Sequence, residues 1–216
     1  MLEAEFERQL ALLDRRNFQA VDLDGFLVAR ANGATRRPYL LTFDDGYASV
    51  LRIAAPILAR RGQPSVLFVS PALVGGDTKP ERILSADELR ELQRSGFEIG
   101  AHGFDHRSLT GLSDAELRRQ CGDAREQLGD LLGEWPRAFS YPYGAFDASA
   151  CRAVEAAGYE VAFAVDRSAG IFALPRLGVY GRDNISVFRV KLLFEQPGIR
   201  RLRNAAARLR RRPAGQ

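Results

Sequence analysis

Residues 39–47 read Tyr39-Leu40-Leu41-Thr42-Phe43-Asp44-Asp45-Gly46-Tyr47, an apolar run that stops on two adjacent carboxylates and a glycine. A run of this length is expected to be a buried strand, with the glycine letting the chain turn away at its end. Neighbouring carboxylates repel, so a divalent cation is a sensible resident: one carboxylate ligates while the other stays free to take a proton. Asp-Asp-Gly after a strand is also the composition of an ordinary turn, and this stretch alone leaves the two readings level.

The arrangement recurs downstream. Ile99-Gly100-Ala101-His102-Gly103-Phe104-Asp105-His106 again leaves a strand into polar residues, and His102 and His106 are the chain's only two histidines. Their spacing of four can bring both imidazoles to one side of a helical turn. A histidine pair by itself is more often structural than metal-bound, but here the entire histidine content follows a strand that matches the Asp-Asp strand. Two imidazoles and one carboxylate form a three-ligand set with open positions, suited to zinc, iron, cobalt, nickel or manganese. Such a set favours hydrolysis of an amide or ester without a protein nucleophile. No Gly-x-Ser-x-Gly elbow and no phosphate-binding glycine loop competes with it.

A third cluster, Phe139-Ser140-Tyr141-Pro142-Tyr143-Gly144, closes another apolar run. Tyr141, Pro142 and Tyr143 are expected to line a groove for a sugar ring or acyl group, with a backbone amide placed for a developing oxyanion. A Pro-Gly turn packed by two tyrosines is the equally weighted alternative.

Outward from these clusters, short apolar runs at 39–43, 65–69, 98–101, 138–141 and 160–164 alternate with helical periodicity at 49–60, 85–95, 114–132 and 148–157. Alternation of this kind predicts an α/β fold, a barrel or open sheet of parallel strands, with the chemistry at the strands' C-terminal ends. Ser85-x-x-Glu88 and Ser113-x-x-Glu116 mark two helix starts as capping boxes. With 216 residues, 46% of them hydrophobic and 27% charged, one domain with a full core is expected. The division expected is a catalytic domain at 1–198 and a basic C-terminal helix or tail at 199–216.

The net charge of +4 is uneven, because seven arginines fall between positions 200 and 212; without them the acids outnumber the bases, 27 to 24. The cysteines, Cys121 and Cys151, suit reduced thiols. No run approaches the ~20 apolar residues of a membrane span, and residues 1–16 carry charges throughout, so the chain reads as cytoplasmic.

Taken in order, the three clusters resemble the polysaccharide deacetylases, the NodB-homology or carbohydrate esterase family 4 group, over about residues 40–180. Thr-Phe-Asp-Asp-Gly followed by His-x-x-x-His is a highly specific combination. The resemblance implies a distorted (β/α) barrel of the NodB-homology type that removes acetyl from N-acetylated sugars. It implies Asp44 as catalytic base, Asp45, His102 and His106 as ligands of one divalent ion, with zinc placed first, and the Tyr143 amide as oxyanion donor. Ser140 stands where many relatives carry an arginine that pairs with the catalytic aspartate. Arg176, in Leu174-Pro175-Arg176-Leu177-Gly178-Val179, resembles an arginine of the poly-N-acetylglucosamine deacetylase branch that would act in its place. The family's further histidine, the general acid, has no counterpart here. In that branch it lies on a strand ahead of a helix and strand that 5–10 and 18–21 resemble, so either the start is placed too late, with an export signal also upstream, or another group protonates the amine.

Residues 199–209 place apolar side chains at roughly helical spacing within a basic face, a pattern that fits peripheral contact with an anionic membrane or a terminal helix packed on the barrel. No aromatic platform accompanies the arginines, and nucleic acid is not expected as a partner. Two readings from different classes follow. One is an N-deacetylase acting on a glycan or lipid-linked glycan precursor; the other is a catalytically impaired carbohydrate-binding module that retains the metal site.

Overall fold

The computed structural model describes residues 3–32, 37–165 and 168–194. Packing divides the chain into two units, Ala11–Arg176 and the pair of segments Met1–Leu10 and Leu177–Gln216. The boundary expected at 198/199 and the basic segment beyond it lie outside the described residues.

In the larger unit, β1 (Phe18–Ala20) and β2 (Arg37–Tyr39) form a small parallel pair on either side of α2 (Leu23–Asn32). The main sheet has six strands, all parallel and in sequence order: β3 (Thr42–Phe43), β4 (Ser65–Val69), β5 (Phe97–Ala101), β6 (Ala138–Ser140), β7 (Val161–Val165) and β8 (Leu174–Arg176). The sheet curls into half a barrel, as expected of a distorted (β/α) barrel, and β4 is buried at all five residues because both faces are covered. Its apolar core joins Val66, Phe68, Ala138, Val161, Phe163 and Leu174 to Leu23 of α2.

The strand expected at 39–43 is two strands, because the chain changes partner within it. The carbonyl of Tyr39 accepts from Val21 beside β1, whereas the carbonyl of Leu41 accepts from Val66 in β4. The helix expected at 49–60 begins as a π-helical turn, Val50–Ala54, and continues as α3 (Ala55–Arg61). Pro56 has no amide to donate, so the regular ladder is interrupted there. α4 (Ala86–Arg94) and α5 (Asp114–Arg118) both start with complete capping boxes. A second π-helical turn, Arg119–Asp123, links α5 to α6 (Ala124–Leu132), and α7 (Ala148–Ala156) lies between β6 and β7.

At the strands' N-terminal ends, Ser65 Oγ and Glu98 Oε1 are buried without hydrogen-bond partners. Burial pushes the Glu98 carboxyl up to about 7, with Arg137 opposing.

α1 (Glu3–Arg15) begins in the smaller unit, where Gln9 donates to the Asp183 carbonyl at 2.9 Å. The Asp183 carboxylate takes the Tyr180 amide and the Lys191 ammonium ahead of and within α8 (Ile185–Phe194). No described helix is long and apolar enough to cross a membrane.

Candidate active site

The catalytic and metal-ligating candidates of the sequence lie at or just past the C-terminal end of a strand of the main sheet: Asp44 and Asp45 after β3, His102 and His106 after β5, Ser140 and Tyr143 at and after β6, and Arg176 at the end of β8. The Asp-Asp turn depends on Gly46, whose φ is +78° and whose added Cβ would stand 2.7 Å from Val69 Cγ1.

His102 is fixed from three sides. Its amide donates to the Val69 carbonyl at 2.8 Å, its carbonyl accepts from Ser70 Oγ at 2.6 Å, and its Nδ1 lies 2.7 Å from the Ser140 carbonyl. A carbonyl only accepts, so Nδ1 carries the hydrogen and Nε2 keeps its lone pair. Nε2 of His102 is 3.6 Å from Asp45 Oδ1, and Nε2 of His106 is 3.0 Å from the same oxygen. The three residues offer donor atoms all within 4.8 Å of one another, the one such cluster of three among the described residues. A divalent ion with ligand bonds of about 2.1 Å needs donors about 3–3.5 Å apart, so Asp45, His102 and His106 fit one.

The segment 102–106 is an irregular turn and not the helical turn expected from the spacing: His106 takes φ +62°. Gln120, in the π-helical turn after α5, holds it. Its Oε1 accepts the Phe104 amide at 2.9 Å and its Nε2 donates to Asp105 Oδ1 at 2.8 Å. Four non-glycine residues among those described have positive φ, and Asp45, His106 and Tyr143 are three of them.

Asp44 receives a two-point contact from Arg176, Nη1 to Oδ1 and Nη2 to Oδ2, each 2.8 Å. The guanidinium is itself held by Thr42 Oγ1 at 3.1 Å and Ser140 Oγ at 2.8 Å. Burial raises the Asp44 carboxyl, but the charges of His102 and Arg176 and hydrogen bonds from Arg176 and Ser140 bring it below its ordinary value. Burial also keeps the His102 imidazolium unfavourable, so that ring is neutral and Arg176 is the permanent cation beside Asp44. Asp45 is likewise low, burial being outweighed by His106 and His102, and His106 is raised, chiefly by its bond to Asp45. Tyr47 stands close by, its phenol raised by burial and then by the Asp45 charge.

The third cluster divides. Tyr143 is 72% exposed, with φ +59° and its ring 4.8 Å from that of His106. The amides of the next two residues, Gly144 and Ala145, go to the Tyr141 and Pro142 carbonyls. Tyr141 and Pro142 correct the expectation of a lining groove: both are buried, and the Tyr141 hydroxyl donates to the Phe172 carbonyl at 2.8 Å. Tyr141 faces the core because it continues β6, and only the residue past the proline reaches the mouth.

Gln120 was readable as a polar residue three after Leu117 and four before Ala124, on the buried side of its helix. Ser140 was visible as a departure from a family pattern, but its contact with Arg176 depends on which strands are neighbours.

The sequence pattern of the family described as Polysaccharide deacetylase matches residues 31–162. The Bacillus subtilis (strain 168) protein YxkH is 24% identical over 182 residues, 81% of this chain and 64% of YxkH, so the chain spans less than two thirds of that relative's length. Among solved structures, the Streptococcus pyogenes deacetylase PplD in complex with acetate is similar with a TM-score of 0.77 and 17% identity, covering 88% of this chain and 86% of PplD. IcaB from Ammonifex degensii has a TM-score of 0.76 and 24% identity, covering 91% of this chain and 90% of IcaB. These two likenesses establish the fold. Because the family pattern spans more than half of the sequence and contains the Asp-Asp, His-x-x-x-His and Tyr-Pro-Tyr-Gly clusters, the chain belongs to the polysaccharide deacetylase family.

Proposed function

We propose that the protein is a metal-dependent carbohydrate N-deacetylase, hydrolysing an N-acetyl group of a sugar to acetate and a free amine. The observation that carries this reading is the juxtaposition of Asp45, His102 and His106 with an Asp44 carboxylate held by Arg176. A divalent cation in the triad, zinc placed first and cobalt, nickel, iron or manganese as alternatives, would supply Lewis acidity toward the acetyl carbonyl and a water molecule of lowered pKa.

The chain's own residues do the rest. His102 and Asp45 present lone pairs, the first because its proton is committed to the Ser140 carbonyl. Asp44, kept ionised, takes a proton from the attacking water as general base. The Tyr143 amide donates to the oxyanion that develops on the acetyl oxygen. The proton Asp44 has taken is the one the leaving nitrogen needs, so the hydrolysis balances with the two histidines the chain contains.

The substrate class we favour is a lipid-linked or polymeric N-acetylglucosamine, on the resemblance of Arg176 and its surroundings to the poly-N-acetylglucosamine branch. The strongly basic end of the sequence favours a lipid-linked form met at the cytoplasmic face of a membrane. The test measures metal content and acetate release together for the wild type, Asp44→Asn and His102→Ala, on chitooligosaccharides and on lipid-linked N-acetylglucosamine. Asp44→Asn is expected to keep the metal and abolish acetate release, and His102→Ala to lose both. Saturable sugar binding without acetate would replace this reading by a carbohydrate-binding module, and a wild type that takes up no metal would overturn it.

A further inference from the structure

Within the larger unit, the N-terminal ends of β4 and β5 border a cleft of about 320 Å³, at the other end of the strands from Asp45, His102 and His106. That volume is in the range of small-molecule sites. Ser65, only 2% exposed, and Glu98 both line it, and Ser65 Oγ and Glu98 Oε1 are buried with no hydrogen-bond partner among the described residues. A buried polar group kept only for the fold normally has a partner, so two orphans in one wall call for a ligand that donates to them. The wall is also acidic. Asp22 and Glu134 line it with Glu98, while the guanidinium of Arg137 beside them is already shared between Glu160, at 2.9 Å, and Asp24. Burial, the largest influence on Glu98, and the charges of Asp24, Glu160 and Asp22 push its carboxyl up to about 7, with Arg137 opposing. Trp135 supplies an apolar wall: its indole lies on Gly129 of α6, where an added Cβ would stand 3.1 Å from Cδ2, and the residue is 52% exposed.

An occupant has to bring positive charge and N–H donors to the carboxylates, a hydroxyl to Ser65 and a carbon skeleton to the indole. Anions are repelled by such a wall. A hard metal cation would want several converging oxygens and gains nothing from an indole. We propose that this cleft binds a small primary amine carrying hydroxyl groups, its ammonium on Glu98 and Asp22, a hydroxyl on Ser65 and its carbon skeleton against Trp135. The site needs no enzyme activity, and the residues proposed to hold the metal take no part in it.

The test is isothermal titration calorimetry of the full chain with glucosamine, ethanolamine and glucose. Glucosamine is expected to bind at least ~10-fold more tightly than glucose, which lacks the amine. Ethanolamine matching glucosamine would support an amino alcohol as the ligand, and ethanolamine ~10-fold weaker an amino sugar whose ring uses Trp135. Glu98→Gln should weaken glucosamine ~10-fold or more while melting no earlier than the wild type at pH 8, and Ser65→Ala should weaken it less. The bound ammonium needs Glu98 ionised, so affinity should rise about eight-fold from pH 5.5 to pH 6.5. His106→Ala should leave binding unchanged. Equal affinity for glucosamine and glucose, no binding of any of the three, or undiminished binding by a folded Glu98→Gln overturns the proposal. So does binding that His106→Ala removes, since the amine would then sit at the other end of the strands.

Discussion

Arg176 and Asp44 are 132 residues apart in sequence and joined by two parallel hydrogen bonds of 2.8 Å, one to each carboxylate oxygen. The pair ties the last strand of the main sheet to the first, and it sets the charge state of the proposed base.

Arg176→Met should therefore move the acid limb of the pH–rate profile to higher pH. Burial, the largest influence on Asp44, pushes its carboxyl up, and Arg176 is the permanent charge opposing it. The base works only when ionised, so losing the cation raises the pH at which activity appears. At mildly acid pH, kcat/KM should fall roughly 10- to 100-fold, the worth of a charge-assisted pair. Arg176→Lys, keeping the charge without the fork, should shift the limb less.

Gln120→Ala should loosen the turn that carries His106 without touching a ligand. The Phe104 amide and the Asp105 carboxylate both lose a partner. Competition with a chromogenic chelator should show cation affinity about 10- to 100-fold weaker. Gln120→Glu keeps an acceptor for Phe104 but sets a charge against Asp105, and should lie between the two.

Gly144→Ala tests the turn beneath Tyr143. The glycine has φ +66°, and an added Cβ would stand 2.6 Å from Val165 Cβ and 2.8 Å from its backbone nitrogen. Urea unfolding should show a loss of about 2–3 kcal/mol. Gly133→Ala is the control: φ is +77° but nothing lies within 4 Å, so only the backbone strain of about 1 kcal/mol applies.

Glu98 makes stability fall with pH over a defined window. Its folded carboxyl titrates at about 7 against an ordinary value of 4.5, so the folded chain holds a proton that the unfolded chain has released. Stability is then highest below pH 4.5, declines as pH rises toward 7 and levels off above, by roughly 1–3 kcal/mol after allowing for partial solvation. Glu98→Gln should remove that part of the slope and be the more stable protein at pH 8, as read by thermal unfolding across the range.

The strands that carry Asp44, His102 and Ser140 were legible as apolar runs ending in polar clusters, and both capping boxes were legible as Ser-x-x-Glu. β8 was not, because Leu174-Pro175-Arg176 is too short and too polar to show a period. That strand delivers Arg176, so pairing it with Asp44 depended on a family likeness and not on pattern. Tyr141 shows the opposite failure. Its type suggested a sugar platform, but whether an aromatic beside a proline faces core or mouth depends on where the strand ends, one residue decides it, and composition carries no such resolution. The break within 39–43 was hidden for a similar reason, since either sheet accepts the same apolar residues.

Asp45, His106 and Tyr143 hold left-handed backbone that glycine would adopt freely. Each costs the folded chain about 1–2 kcal/mol relative to a glycine. Variation screened only for thermal resistance should accordingly drift toward glycine at these three positions, and the sturdiest descendants of this protein would be inert ones. An evolution experiment run for stability has to carry an activity filter from its first round, because here the quickest gains and the loss of chemistry lie along the same substitutions.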